Sequence, residues 1–502
     1  WYPCHLDLLT EALDKNPGVD VAYSDLYAVS FVKDPDTGRR YPLDKSIRVS
    51  RDFSRDFMFF FNHTLHVSVM HRRDLALHVD GYDEKISVLI DWNLTRKMVF
   101  YSDFIFVPVP TGEYYMPIIK SDRISVVQRK DKKKYKQNIR RIKADHPPLP
   151  WPKVDRITVI LPVGEWDEAL SGFLAQVIDH LSYPVEYLLV NNDLSRSGAD
   201  CRTALGEIGE LRNVSIVTPS RSLSDLDSYR FGARSTGAEY VFLITRNLSD
   251  KIIKYRLYSG LEALKNTDCQ GIKWDVEEEK KRPFDVLIKR KDFLQRTRPN
   301  KKKKDAFINV IPNQVPESFK SDLCAAAAQR HYSREEYKDA LEAIKATQAI
   351  KKGTPNLQFT VAKYYKICLA LEEYDLAEKQ LRDLMDRGYV ADNSIRLGKV
   401  LQARGDFNEA IKVYRIGLEA IGLNEADLNS PVFPFPFPKG LNAFTAVIGL
   451  GECCFEIKDF AEAARMFRRA AKLRANSHRP FLGFAKLFLA NNQLDKAEAA
   501  LG

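Results

Sequence analysis

Apolar positions divide this chain into three stretches of different spacing. In the first stretch, YPCHLDLLTEALDKN (residues 2–16) repeats at helical spacing, and Pro17-Gly18 stops it. Val19–Ser24 predicts a short strand, Lys33–Asp52 a polar segment with a turn at Asp34–Gly38, and His66–His71 an alternating strand. Leu75–Val79 predicts a short helix ending near Gly81, Asp91–Met98 another helix, and Phe104–Val109 a strand.

The second stretch follows a basic helix at Lys130–Ile142 and the proline run Pro147–Pro152, whose composition is that of a stiff linker. Ile157–Leu161 is a continuous apolar run, the pattern of a buried parallel strand. Trp166–Leu181 and Asp225–Ser235 predict helices, and Glu186–Val190, Val214–Val217 and Tyr240–Ile244 predict strands, with Phe284–Phe293 closing the unit. Two strands run into polar loops, Asn191-Asn192-Asp193 and Thr245-Arg246-Asn247. This is the layout of a doubly wound sheet, which binds ligands beyond the carboxyl ends of its strands.

From about Ser318 the pattern is helical throughout and repeats at roughly 34–36 residues. Tyr337, Tyr374, Phe407, Phe460 and Leu494 are each followed by alanine at +3 and a large apolar residue at +7, and Leu397-Gly398 and Leu450-Gly451 hold equivalent places. The spacing resembles the tetratricopeptide (TPR) repeat, which implies helix pairs that bury their apolar faces only by stacking and that present a groove to a protein partner. Residues 424–440, with PVFPFPFP, interrupt the period either as a surface loop or as a segment filling that groove.

Composition narrows the class. At about 150 residues per domain, 502 residues imply about three domains. Apolar runs such as Tyr240–Ile244 fall far short of the ~20 residues that span a bilayer. Seven scattered cysteines without a CxxC point to reduced thiols and a cytoplasmic protein, so the sequons at Asn62, Asn93, Asn213 and Asn247 read as chance matches. The net charge of +10 is concentrated in Lys120–Lys143 and Arg296–Lys304. These runs are solvated faces, or else contacts to an anionic membrane surface, nucleic acid or an acidic partner. No aromatic residues interleave with the lysines to stack bases, so nucleic acid ranks lowest.

The candidate chemistry lies in FNHTLHVSVMHRRDLALHVDGYDEKISVLIDWNLTRKM, residues 61–98. WYPCHLDLLTEAL, VMHRRDL, GYDE and LIDWNL together resemble the C-terminal, acceptor-side half of a family-2 glycosyltransferase of GT-A fold. That resemblance implies sugar transfer from a nucleotide sugar by an inverting reaction, with Asp91 as the catalytic base. It implies Tyr82, Glu84 and Trp92 at the acceptor, and Mn²⁺ or Mg²⁺ in the complete enzyme, held by an Asp-x-Asp expected before Trp1. Ile90 stands where the family often has a first acidic residue. His63 is a metal or phosphate ligand or a structural residue, and Arg72 and Arg73 are phosphate donors or a solvated strand end. Asp91 itself is otherwise a helix N-terminal acid favoured by the dipole.

Residues 154–295 resemble the missing half in outline, with Asn192, Asp193 and Arg246 at the places of its ligand-binding acids. Arg246 is a fixed positive charge in place of a metal, or the unit is degenerate and kept for packing. The expected fold class is therefore multidomain: α/β GT-A-like, Rossmann-like units followed by an all-α TPR superhelix. The expected divisions are 1–118, a basic helix and linker at 119–153, the degenerate unit at 154–295, a basic linker at 296–317, and repeats at 318–502 with the insertion at 424–440. The expected activity is glycosyl transfer, with a protein acceptor or partner in the repeat groove and peripheral membrane contact through the basic runs. The rival reading is a non-catalytic TPR scaffold.

Overall fold

The computed structural model describes residues 1–33, 38, 40–47, 52–117, 131–248, 253–276, 284–297, 308–312, 319–320, 324, 327–328, 330–332, 334–350, 357–386, 390–421, 439–473 and 477–501. The basic residues 120–130 and 298–304, the turn residues 34–37 and the Pro/Phe run lie outside them.

The first unit is built on β1 (Val21–Lys33). One edge of β1 pairs antiparallel with β3 (Val69–His71) through Val21–Tyr23, then with β2 (Arg40–Ile47) through Tyr27–Lys33. The other edge pairs in parallel with β4 (Phe104–Pro117), with register shifts around Asp25. Before β1 comes α1 (His5–Asp14); α2 (Arg55–Phe60), α3 (Arg73–His78) and α4 (Ile90–Met98) lie between β2 and β4. Both β1 and β4 run well beyond the strands expected at Val19–Ser24 and Phe104–Val109. The polar pattern of RYPLDKSI concealed β2 because that strand lies at a sheet edge.

The second unit is a seven-stranded mixed sheet in the order β11-β9-β10-β8-β5-β6-β7. Its parallel centre is β5 (Ile157–Val163), β6 (Glu186–Asn191), β7 (Val214–Val217) and β8 (Tyr240–Leu243), each close to its expected place. Helices α6 (Glu168–His180), α7 (Gly198–Leu205), α8 (Asp225–Arg234) and α9 (Ile253–Asn266) connect them. β9 (Gly271–Trp274) and β10 (Val286–Lys289) extend the sheet, followed by α10 (Arg290–Arg296). The stretch 296–317, read as a linker, carries β11 (Ile308–Ile311), which pairs with β9.

Helix α5 (Lys132–Ala144) and the proline run pack between the two units. Trp151 is buried, donates its indole N–H to Pro147 O at 2.9 Å, and meets Phe100 edge-to-face at 4.8 Å. Arg140 forms a two-pronged bond to Asp179 (2.7 and 2.8 Å), and Lys143 Nζ donates to the carbonyls of Ile178, Asp179 and Leu181 at the end of α6. A cation at a helix C-terminus satisfies orphan carbonyls and opposes the helix dipole. This part of the basic run is thus used inside the molecule.

The helical part consists of α11 (Tyr337–Ile350), then the pairs α12 (Leu357–Ala370) and α13 (Tyr374–Asp386), α14 (Val390–Arg404) and α15 (Phe407–Ala420), α16 (Lys439–Glu456) and α17 (Phe460–Leu473), and α18 (Arg479–Ala490) and α19 (Leu494–Leu501). The repeated residues Tyr374, Phe407, Phe460 and Leu494 each open the second helix of a pair. The alanine three places on is buried every time. Glycine in the first helix admits the ring of the second: a Cβ at Gly398 would lie 2.6 Å from Tyr414 Cε1, and one at Gly451 2.7 Å from Phe467 Cε1. No described helix is long and apolar enough to cross a membrane.

Two predictions follow from this packing. Gly398→Val should overpack the α14–α15 contact and lower stability by about 1–3 kcal/mol, measured by denaturant unfolding. Asp56, at the seam between the units, has its carboxyl pushed up to about 6, chiefly by burial, with the charges of Glu262 and Asp155 adding to it against Arg55 and Lys265. A folded pKa above the unfolded one makes stability highest at low pH, falling as pH rises toward about 6. Asp56→Asn should therefore stabilise the chain at neutral pH, by on the order of 1–2 kcal/mol, and lose that advantage below about pH 4 in a denaturant series.

Candidate functional site

The site is organised by the start of α4. Leu89, just before it, adopts the left-handed conformation (φ 60°, ψ 33°), strained for a branched side chain and tolerated where the surroundings impose it. Asp91 follows in the first helical turn, half-buried. Its Oδ2 accepts from Asn62 Nδ2 at 2.9 Å. The Asn62 carbonyl accepts from Thr64 N (3.2 Å) and Thr64 Oγ1 (3.0 Å), which fixes the amide with its N–H₂ toward Asp91. Among the described residues, Asp91 Oδ1 has no side-chain donor.

Tyr82 stands near this carboxylate, and Phe61 and Ile90 adjoin Asn62 and Asp91 in the chain. Asp80 and Gly81 both have positive φ, and they end α3 and set Tyr82 on the following turn. The Tyr82 hydroxyl lies 3.3 Å from His66 Nε2, and its pKa is raised by burial first and by the Asp91 charge second. The Trp1 indole donates to Val67 O and stacks on His5 at 5.1 Å. Phe61, Tyr82 and Ile90 are 56, 47 and 48% exposed, so this rim presents aromatic and aliphatic faces to solvent beside a carboxylate.

The opposite face of α4 is buried and polar. Asn93 Nδ2 donates to Asp145 Oδ2 at 2.8 Å, Lys97 Nζ lies 3.4 Å from the same oxygen, and Arg212 of the second unit donates to Asp145 Oδ1 at 2.8 Å. Arg96 bonds Ile142 O and sits over the rings of Phe59 and Phe100, and burial lowers its pKa to about 10. On the loop before α4, Ser87 N donates to Asn138 Oδ1 of α5 at 3.2 Å. Both the helix and its approach are therefore pinned to α5 and the second unit.

The other sequence candidates are placed differently. Trp92, expected at the acceptor, is a core residue whose indole donates to Met58 O at 2.8 Å, leaving no ring face for a ligand. His63 is buried among Tyr23, Phe53 and Phe57, with ring centroids 5.7–6.1 Å away. Arg72 bonds Leu13 O and faces Asp14 and Asp20 at the end of α1. Arg73 is exposed on α3, and Glu84 is exposed on the turn after Tyr82. In the second unit, Asn192 donates to Ser228 Oγ at 2.8 Å, Asp193 accepts from Ser195 and faces Arg196, and Arg246 binds Glu165 O and Asp167. Its strand-end loops are closed by their own side chains.

Among the described residues, no group of His, Cys, Asp and Glu around Asp91 is close enough to share an ion. Beside it stand an amide and a phenol, and aromatic rings surround His63. Among the described residues, the carboxylate and imidazole atoms close enough to share an ion are those of His331, Glu336 and Asp339 in the helical part.

Sequence reasoning missed Asn62, His66, Phe61 and Asp145. Asn62 was visible only as a sequon, and the same Asn-x-Thr spacing is what lets Thr64 orient its amide. The amides of Asn93 and Asn213 are likewise engaged inside the fold.

No protein-family model matches the chain, and no curated protein sequence matches it. Among solved structures, MamA 41-end from Desulfovibrio magneticus RS-1 overlaps 36% of this chain and 90% of its own, at 16% identity and TM-score 0.29. Yeast Tom70 overlaps 74% of this chain and 52% of its own, at 11% identity and TM-score 0.27. A mannosyltransferase, PcManGT from Pyrobaculum calidifontis in complex with GDP-Man and Mn²⁺, overlaps 65% of this chain and 89% of its own, at 10% identity and TM-score 0.26. Overlaps this loose carry no weight, and the repeat reading rests on the glycine–aromatic spacing of the chain itself.

Asp145 supplies the prediction here. Asp145→Ala leaves Lys97 buried beside no carboxylate and should cost about 3–5 kcal/mol in denaturant unfolding, whereas Asp145→Asn, which keeps an acceptor, should cost less.

Proposed function

We propose that the first unit is the acceptor side of a glycosyltransferase, using a nucleotide sugar as donor and inverting the anomeric carbon. The observation that carries this reading is the Asp91 carboxylate, oriented by Asn62 and set in an exposed aromatic rim. Sugar rings offer apolar C–H faces to aromatic side chains and hydroxyls to a carboxylate. In this role Asp91 takes the proton of the acceptor hydroxyl as that oxygen bonds to the anomeric carbon. The bond from that carbon to the nucleoside diphosphate breaks, and the electron pair leaves with the diphosphate. A positioned general base contributes typically 10²–10⁴-fold. Tyr82 and Phe61 border the acceptor, and the repeats bring in a protein acceptor or partner.

A second reading is favoured by the strand-end loops of the second unit, where Asp193 and Arg246 are engaged by neighbouring side chains: both α/β units are scaffolding, and the repeats carry the function. One experiment separates the two. In the complete protein, Asp91→Asn should cut transfer from a nucleotide sugar by about 10²-fold or more while the thermal transition is retained. Near-normal turnover in that variant removes Asp91 from the mechanism, and no turnover with any nucleotide sugar in the wild type favours the scaffold.

A further inference from the structure

The second unit carries an open cleft of about 940 Å³ at the end of its sheet opposite Asn192, Asp193 and Arg246. The strand register builds its floor. Ile157 at the start of β5 pairs with Tyr240 at the start of β8, and Tyr240 pairs in turn with Lys289 at the end of β10. The row continues one residue further: Tyr240 N donates to Arg156 O at 3.1 Å, and Arg290 N donates to Glu239 O at 2.9 Å. Arg156, Glu239 and Arg290 therefore lie side by side across three neighbouring strands, the outer two about 10 Å apart at the backbone. Leu149–Pro152 and Lys289–Asp292 also line the cleft.

Six lysines and arginines line this cleft against three carboxylates, whereas the smaller cavity beside α5, about 370 Å³, has four of each. Half of the six cations are engaged by the fold. Lys265 pairs with Asp155 at 2.6 Å, Lys153 with Asp103 at 3.2 Å, and Arg290 Nε donates to Ala238 O at 2.7 Å. The side chains of Lys289 and Lys291 have no hydrogen bond or ion pair among the described residues. Arg156 lies over the Trp151 ring at 5.8 Å and reaches Glu186 through Nη2 at 3.2 Å, while its buried Nε has no partner. A buried N–H left in that state is rare in native structures. We propose that this cleft binds a small polyanion bearing several phosphate groups, held by Lys289, Lys291 and Arg156. A guanidinium matches phosphate geometry, and lysine adds a movable point charge. The spread of the row suits phosphates distributed over a ring, whether on a free molecule or on a lipid headgroup. The site is independent of the transferase reading, because it lies away from Asp91 and from the carboxyl ends of the parallel strands.

Two measurements on the full chain test it: calorimetric titration with inositol hexakisphosphate, and flotation with phosphatidylcholine vesicles made with or without a bisphosphorylated phosphatidylinositol. The wild type should bind the hexakisphosphate, which assigns a free ligand, or float only with vesicles holding the phosphorylated lipid, which assigns a headgroup. Lys289→Glu combined with Lys291→Glu should weaken that binding by about tenfold or more, and added salt should weaken it in the wild type. Lys85→Glu combined with Arg141→Glu makes the same change in net charge at the balanced cavity and should bind as the wild type does. If the first pair of substitutions lowers the thermal transition, Lys291→Gln, at an exposed position, takes its place with the same readout. Binding of neither probe overturns the proposal. So does unchanged binding after the reversal in the cleft, or an equal loss after the reversal in the other cavity.

Discussion

The buried carboxylate of Asp145 is the contact on which the arrangement of the two α/β units depends. It accepts from Asn93 and faces Lys97, both on the helix that carries Asp91, and it accepts from Arg212 of the second unit. Removing one partner of such a buried group strands the others, so the cluster acts as a unit. It fixes the roll of α4. With Asn93 and Lys97 turned inward, Asp91 lies toward the solvent-facing aromatic rim.

This gives the second unit a structural purpose that its own strand ends do not suggest. Asn192, Asp193 and Arg246 are occupied in closing loops. The opposite surfaces of the same unit do other work: the carboxyl end of α6 receives Arg140 and Lys143, and Arg212 reaches Asp145. A sheet can lose its ligand-binding loops and still hold a neighbouring helix in place. The repeats stand in a similar relation to β1 and β2, where Leu384 takes its apolar contacts from the first unit.

Much of the fold was legible in the chain. The strands β5, β6 and β8 lie where apolar runs place them, because a strand covered on both faces needs an apolar residue at nearly every position. The repeat helices were legible because alanine at a crossing and a large apolar residue four places later recur. Less legible were β2, β9 and β11, which are short or polar. Of the site, Asp91 and Tyr82 were visible as a motif, whereas Trp92 was misplaced: next to a polar functional residue, a tryptophan suggests a platform, but helical geometry turns consecutive side chains about 100° apart and sends this one into the core.

By itself the sequence determined the local elements, the repeat period and the position of Asp91 at a helix start, since each depends on spacing within a few turns of chain. The tertiary structure alone decided that Asn62 orients Asp91, that Asp145 holds the helix from behind, and that β1 and β2 rest on the repeats. Asn62 and Asp91 are 29 positions apart, Asn93 and Asp145 are 52, and Asp145 and Arg212 are 67. Periodicity shows which face of an element is buried, but not which distant side chain meets it there, because that choice is made only when the elements pack.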